Sequence, residues 1–214
     1  MQKPQVAIVH TERFDSSIFE DFLSEVEHEN LDLQIQETPE PGPFATVEWF
    51  IPTAIIAFIG KAYFEEFLKE MGKDHYNALK SSLAKLTQKT ISQPRIEPVL
   101  MGTPGKISID NPFSMAYSIM AEGNDGYRFK LLIPKYTPSV NYEAIVLKFM
   151  DFIAEYHTLG LTSAASEEIS RSGAPGGTIL VSYNPETESI EWRDHLPLEV
   201  RARMKVQQEN VAES

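Results

Sequence analysis

The chain has no cysteine among its 214 residues. This absence excludes disulfide bonds, thiolate nucleophiles and metal centres with cysteine ligands. It also suits a reducing compartment, and the first ten residues contain no apolar segment long enough for a secretion signal. We therefore expect the protein to be cytoplasmic.

Long apolar runs are also scarce. The longest, residues 50–59, is about half as long as the roughly 20 residues that a membrane-spanning helix needs. Pro52 lies inside the run and Lys61 follows closely after it, so we predict a buried core segment and no membrane span. Its secondary structure stays open. Pro52 suits the first turn of a helix, which we slightly favour, whereas Ile55 and Ile56 suit a strand.

Basic residues are outnumbered, with 19 Lys and Arg against 31 Asp and Glu and a formal net charge of −12. Residues 1–44 hold ten of the carboxylates but only Lys3 and Arg13, so this segment alone carries −8. Because such an acidic surface repels phosphate backbones, nucleic-acid binding is disfavoured. The segment is either a solvated face that keeps the protein soluble or a docking surface for a protein partner with a basic surface. Self-association is a further alternative.

The remaining composition is that of a globular α/β or α+β protein, and the chain is long enough to bury a core. We predict a mixed sheet with an N-terminal β-α-β unit, two β-hairpins and about three main packed helices. One domain is expected over residues 1–214. The alternative is two lobes, with the β-α-β unit and a long helix in residues 1–89 and a strand-strand-helix-strand-strand unit in residues 107–195. Residues 207–214 are expected to be a frayed tail.

The β-α-β unit is indicated by three successive patterns. Residues 6–9 are largely apolar, as in a buried strand, and apolar residues alternate with polar ones over residues 31–35, as in a half-buried strand. Between them, Ser17 and Glu20 have the spacing of a capping box at a helix start. Two strands joined in this way are expected to be parallel.

The longest helical pattern covers residues 61–86. We expect one amphipathic helix there, with its apolar side against a sheet, and Gly72 predicts a bend or a close contact within it. The residues that recur at steps of three and four are Phe64, Phe67, Leu68, Met71, His75, Leu79, Leu83 and Leu86.

The second half of the chain predicts two hairpins around one helix. Apolar residues alternate over residues 113–133, on either side of the turn-forming residues 124–126. A second alternation covers residues 179–192, and a helical pattern covers residues 141–157 between the two hairpins.

Three polar residues, His10, Glu12 and Asp15, follow the first predicted strand. Ligands in open α/β sheets bind beyond the carboxyl ends of strands, so a small-molecule site is expected here first. His10 and Glu12 would serve as a general base and its orienting carboxylate, or as two metal ligands. The alternative is that Glu12 is a solvated loop residue and that His10 simply ends the strand.

His75, in the apolar stripe of the long helix, is the second candidate. Its functional interpretation pairs it with Glu70 or Asp74 at the edge of a cleft. Its structural interpretation is a core histidine hydrogen-bonded to a backbone carbonyl or to a tyrosine. The other histidines are isolated and expected to be exposed; they are His28, His157 and His195.

Several known sites have no matching motif. No two histidines have the helical or finger-type spacing of metal ligands, so no metal site is predicted, and the cofactor is unknown. The glycines of residues 173–177 precede a predicted strand and lack the lysine of a phosphate-binding loop. No serine lies in a nucleophile elbow, which removes support for an α/β-hydrolase mechanism.

One stretch resembles a known family. A strand, a helix and an acidic strand are followed by the apolar residues 54–59 and by Gly-Lys-Ala-Tyr at residues 60–63. This order is similar to the front half of TIR domains and covers about a third of the chain. The resemblance implies a catalytic glutamate for NAD cleavage on the next helix, at Glu66 or Glu70. The chain departs from the family in its glutamate spacing, in lacking the tryptophan-cysteine signature, and in having no helix between the second and third strands.

These observations favour one function over another. Because the sequence contains no complete catalytic constellation, we expect an interaction or regulatory module. The alternative is a small-ligand-binding protein or an enzyme that uses the crevice after the first strand, with NAD cleavage as the activity that the TIR resemblance implies.

Overall fold

The computed structural model describes residues 3–40, 53–97, 111–124, 126–160 and 174–195. The strands are β1 (Val6–Thr11), β2 (Leu33–Thr38), β3 (Ile55–Ile59), β4 (Phe113–Glu122), β5 (Arg128–Pro134), β6 (Thr178–Asn184) and β7 (Ser189–Arg193). The main helices are α1 (Glu20–Val26), α2 (Leu68–Ile91) and α3 (Tyr142–Leu159). The predicted tail, residues 207–214, lies outside the described residues.

The seven strands form one mixed sheet in the order β2-β1-β3-β4-β5-β6-β7. Three neighbouring pairs are parallel, namely β1 with β2, β3 with β4 and β5 with β6, and each is joined by one of the three helices in turn. The other neighbours are antiparallel. The predicted mixed sheet, N-terminal β-α-β unit, two hairpins and three helices are therefore confirmed. The pairing of β3 with β4 joins the strands of both halves of the chain into one sheet.

All three helices pack on one side of the sheet, which we call the helix face. His10 of β1 contacts the ring of Phe19 just before α1, with 5.1 Å between ring centroids. The Tyr117 hydroxyl of β4 lies 3.3 Å from the Thr87 hydroxyl of α2, and Phe129 of β5 packs edge-on against an aromatic ring of α3. The cross-strand register places these three strand residues on the same side. The main hydrophobic core therefore lies between the sheet and its helices.

The long helix is buried as predicted, but it is not a single rod. The turn Tyr63–Phe67 is π-helical, and Gly72 within α2 has φ 76° and ψ −170°, outside the helical region. Glycine adopts a positive φ without steric cost, so Gly72 permits a kink between the aromatic first turns and the leucine-rich remainder. The single helix predicted over residues 61–86 is therefore wrong, the bend predicted at Gly72 is confirmed, and the helix continues to Ile91.

The apolar run at residues 50–59 contains a strand where we slightly favoured a helix. Ile55–Ile59 form β3, which pairs with β1 on one side and β4 on the other. A strand in the middle of a sheet is apolar on both of its faces, so its sequence has no alternation to separate it from a buried helix. Residues 50–52 lie outside the described residues.

The start of α1 also differs from the predicted capping box. A short 3-10 turn, Ser16–Phe19, precedes α1, and the Asp15 carboxylate accepts a 2.8 Å hydrogen bond from the backbone N–H of Ser17. Aspartate is among the preferred residues at this position because its side chain satisfies an otherwise unpaired N–H group. Asp15 therefore has a structural role beside the one predicted for it.

No helix within the described ranges has the length and apolar character that crossing a bilayer demands.

Gly60, which follows β3, is expected to be intolerant of alanine. A Cβ atom there would lie 2.6 Å from the backbone oxygen of Pro4, and the Gly60 N–H donates to the Gln5 oxygen at 2.8 Å. Since backbone cannot rotate away as a side chain can, we expect Gly60→Ala to lower the free energy of unfolding by about 1–3 kcal/mol. Urea unfolding monitored by circular dichroism measures this change.

Gly123→Ala is the matched control, because the nearest atoms to a Cβ there belong to the side chains of Phe129 and Tyr156. A loss at Gly60 no larger than the loss at Gly123 would contradict the close backbone approach.

Candidate functional site

His10, the first predicted site residue, is buried at the carboxyl end of β1. Its Nδ1 lies 3.0 Å from the Thr11 backbone oxygen and its Nε2 lies 3.1 Å from the Ser16 hydroxyl. A carbonyl oxygen only accepts, so in the neutral ring Nδ1–H donates to Thr11 and Nε2 accepts from Ser16. Both nitrogens thus have protein partners, and general-base chemistry would first have to break one of these bonds.

The loop after His10 is anchored by residues other than Glu12. The Arg13 guanidinium donates to the backbone oxygens of Arg95 at 2.9 Å and Ile96 at 3.3 Å, which ties the loop to the segment after α2. Hydrogen bonds from Ser17 hold the pKa of the Asp15 carboxyl below its usual range. Glu12 is exposed and has no hydrogen bond to His10 among the described contacts.

His75 lies where its structural interpretation places it. Its Nδ1 is 3.1 Å from the Tyr63 hydroxyl and its Nε2 is 2.9 Å from the Val26 backbone oxygen. Since that carbonyl can only accept, Nε2–H donates to Val26 and Nδ1 accepts from Tyr63 in the neutral ring. The ring also packs edge-on against Phe67 at 4.7 Å. His75 therefore joins the end of α1 to the aromatic first turns of the long helix.

No hydrogen bond or ring contact among the described residues joins His10 to His75. His10 contacts Phe19 before α1 begins, whereas His75 bonds to Val26, the last residue of α1. These two ends of a seven-residue helix are about 10 Å apart. Glu70 is exposed on α2. No contact in the described structure assigns a chemical role to His10, Glu12, Glu70 or His75, and their roles stay predictions.

The stretch that resembles TIR domains contains β3, the buried Tyr63 and the start of the long helix. The strand β3 leads through Gly60 into a buried Tyr63 and then into the long helix. Both glutamates that the resemblance singles out, Glu66 and Glu70, lie on the exposed side of that helix. NAD cleavage stays a prediction.

The other three histidines are less exposed than predicted, and the ring of His28 packs edge-on against Phe67 with 5.6 Å between ring centroids. His157 stacks on Phe64 with 4.5 Å between ring centroids, its Nε2 lies 2.9 Å from the Glu122 backbone oxygen, and burial lowers its pKa. His195, after β7, is only 5% exposed, and burial lowers its pKa as well. The expectation of exposed positions is wrong for all three, because isolation in the sequence says nothing about what packs against a ring.

The ten carboxylates of residues 1–44 are all exposed. Two of them are neutralised across the groove between α1 and α2, which has a volume of about 200 Å³. Glu25 pairs with Lys85 at 2.8 Å and Asp21 pairs with Lys89 at 2.7 Å. These lysines lower the pKa of both carboxyls.

The other eight carboxylates have no lysine or arginine partner among the described residues, and we call them the acidic surface. They lie in the loop after β1, around α1, and along and beside β2, which is an edge strand. They are Glu12, Asp15, Glu20, Glu27, Glu29, Asp32, Glu37 and Glu40.

Lys130, which sequence reasoning missed, is the least expected polar residue of the structure. It lies in the middle of β5, on the side of the sheet opposite to the helices, and only 8% of its surface is exposed. Burial lowers its pKa to about 8. Its ammonium has no hydrogen bond or ion pair in the described part of the chain. The available signal was a lone lysine between Phe129 and Leu131 in a strongly apolar strand.

Neither a group of metal ligands nor a similar known protein identifies a functional site in the described residues. In the described ranges, no three His, Asp or Glu side chains are grouped so that they would hold a metal ion. Comparison with protein-family models, with curated proteins and with solved structures finds no match to this chain. The fold therefore defines the protein only as a mixed α/β protein whose sheet contains three parallel strand pairs.

Proposed function

We propose that this protein is a cytoplasmic interaction module whose acidic surface docks a protein partner with a basic surface. The observation that carries the proposal is the contrast between Asp21 and Glu25, which have lysine partners on α2, and the eight exposed carboxylates that have no such partner among the described residues. Clustered charges of one sign steer an oppositely charged partner and speed its association. Such an interaction weakens as salt screens the charges.

The position of the acidic surface also supports docking. It includes Glu37 on β2 and Asp32 just before it, at the edge of the sheet where no further strand pairs among the described residues. Charged residues on an edge strand oppose pairing between two copies of the same chain, since like charges would meet. A basic partner is therefore favoured over self-association.

Charge reversal tests the proposal. The triple variant Glu27→Lys, Glu29→Lys and Glu37→Lys should lose proteins that the wild type captures from its native host at about 50 mM salt, and about 500 mM salt should release them. The matched control is Glu143→Lys, Glu155→Lys and Glu186→Lys, which makes the same charge change at exposed positions on and near α3 and between β6 and β7.

The control variant should capture the same proteins as the wild type, and quantitative mass spectrometry compares the three baits. Equal capture by all three, or capture that salt does not affect, would show that the acidic surface serves only solubility. The alternative function, a small-ligand-binding protein or enzyme at the crevice after β1, receives no support from the contacts of His10 and Glu12.

A further inference from the structure

The last described strand, β7 (Ser189–Arg193), is an edge of the sheet with little cover. It pairs with β6 on one side, and no described strand pairs with its other side. Its two end residues, Ser189 and Arg193, are exposed, and the three residues between them are only partly buried. An edge strand leaves the N–H and C=O groups of every second residue unpaired, so β7 offers backbone hydrogen bonds to a further strand.

The two edges of the sheet differ in charge. At the other edge, β2 contains Glu37 and no lysine or arginine, and Asp32 and Glu40 lie close beside it, so like charges would meet if two copies paired there. In contrast, β7 contains one residue of each sign, Glu191 and Arg193, on either side of a tryptophan. A strand with this composition can be complementary to a second copy of itself.

Among neighbouring registers of two antiparallel β7 strands, one matches the charges. Residues directly opposite each other in an antiparallel pair share a face of the sheet. If the two-fold axis passes beside Trp192, this residue lies opposite Trp192 of the second copy, and Glu191 of each copy lies opposite Arg193 of the other. If the axis passes beside Glu191 or Arg193 instead, two carboxylates or two guanidinium groups meet there, which is unfavourable.

Both charged side chains of β7 have capacity to bind a second copy. The Glu191 and Arg193 side chains are 37% and 45% exposed. Glu191 Oε1 accepts from the Asn184 amide at 2.6 Å, whereas its Oε2 lies 3.9 Å from Arg193 of the same chain, which is too far for a hydrogen bond. The Arg193 Nε–H donates to Ser182 at 2.7 Å, and a guanidinium has further N–H groups to donate. An ion pair between copies therefore forms without breaking these bonds.

The tryptophan at the centre of this register is held by the core. The Trp192 ring packs against Phe129 of β5 at 5.9 Å and against Phe152 of α3 at 6.3 Å, measured between ring centroids. Because these contacts already fix the strand, pairing orders few groups and loses less conformational entropy than the docking of a loose segment. A second tryptophan across the axis would add an aromatic cross-strand pair to this cluster.

We propose that two copies of this chain associate through antiparallel pairing of their β7 strands, with Trp192 opposite Trp192 and Glu191 opposite Arg193. The two seven-stranded sheets then form one continuous sheet. A pair of five-residue strands buries less surface than a standard interface, so we expect a weak dimer with a dissociation constant on the order of 100 µM. The acidic surface lies around the opposite edge and stays free, so this proposal does not depend on the proposed function.

Sedimentation velocity of the full-length protein between about 10 and 500 µM tests the association, and the wild type should shift from monomer towards dimer over this range. Glu191→Lys places a lysine opposite Arg193, and Arg193→Glu places a glutamate opposite Glu191, so each variant alone should associate about tenfold more weakly. The control is Glu143→Lys, which makes the same charge change as Glu191→Lys at an exposed position of α3 and should dimerise like the wild type.

An equimolar mixture of the two variants tests the register. In a mixed pair the introduced lysine faces the introduced glutamate, and the unchanged Arg193 and Glu191 face each other, so the mixture should regain the wild-type affinity. A wild type that stays monomeric at about 500 µM, or a mixture that associates no better than the separate variants, would overturn the proposal. So would dimerisation of each variant alone with the wild-type affinity, because the contact would then lie elsewhere.

Discussion

Lys130→Met is expected to stabilise the protein at pH 7 by about 3 kcal/mol, a large fraction of the stability of a typical domain. The reason is that burial lowers the pKa of Lys130 from 10.5 to about 8, and each pKa unit corresponds to about 1.4 kcal/mol. Methionine has a similar length, no charge and a preference for irregular apolar surroundings, so it fills the same space without the desolvation cost.

The pH dependence of this effect has a definite sign. Between pH 8 and 10.5 the unfolded chain binds more protons at Lys130 than the folded chain does, so the wild-type stability should rise with pH across this window. The destabilisation is fully present below pH 8 and disappears as pH approaches 10.5. The variant lacks this group, and the difference between the two proteins should shrink over the same range.

Urea unfolding of both proteins at pH 7, 9 and 10.5 measures the effect. Lys69→Met, at an exposed position of α2, should change the stability by less than about 0.5 kcal/mol. If Lys130→Met were less stable than the wild type at pH 7, the ammonium would have a stabilising partner and this prediction would be wrong.

Leu83→Ala is expected to have the second large effect, a loss of about 2–5 kcal/mol in the free energy of unfolding. Leu83 lies on α2 with no exposed surface, one turn before Thr87, whose hydroxyl reaches Tyr117 on β4. Truncation there removes apolar contacts and leaves a cavity between the helix and the sheet, which the rigid neighbours fill only in part.

Ser81→Ala supplies the comparison for Leu83→Ala, because Ser81 lies on the exposed side of the same helix. Its effect should stay within about 0.5 kcal/mol, measured by the same urea unfolding. Similar losses for the two variants would mean that α2 does not bury its leucines against the sheet.

Local patterns predicted most of the elements. Alternation over residues 113–133 predicted β4 and β5, and the helical spacing over residues 141–157 predicted α3, whose Asn141 cap accepts from the Ala144 N–H at 3.0 Å. These patterns work because strands and helices repeat their exposed sides every two and every 3.6 residues. The pattern failed for residues 55–59, where a central strand is apolar on both faces.

The candidate site was less predictable than the fold. His10 was proposed as a site residue because it follows a predicted strand. Only the folded chain shows that its two ring nitrogens are hydrogen-bonded to Thr11 and Ser16. The structural alternative for His75 named a carbonyl and a tyrosine as partners, and Val26 and Tyr63 are those partners. Val26 and Tyr63 are distant from His75 in the chain, so no rule of sequence spacing could have identified them as its partners.

By itself, the sequence determined the absence of thiol chemistry, the concentration of negative charge in residues 1–44, and the type and order of most elements. These properties depend on the amino-acid composition and on patterns that repeat among residues close together in the sequence. Tertiary structure alone decided that β1 and β3 are antiparallel, that two acidic residues of α1 are neutralised by α2, and that Lys130 is buried with no ion pair in the part of the chain that the structure describes. Burial and pairing depend on contacts between residues far apart in the chain, and alternation shows which side chains share a face of the sheet but not what covers that face.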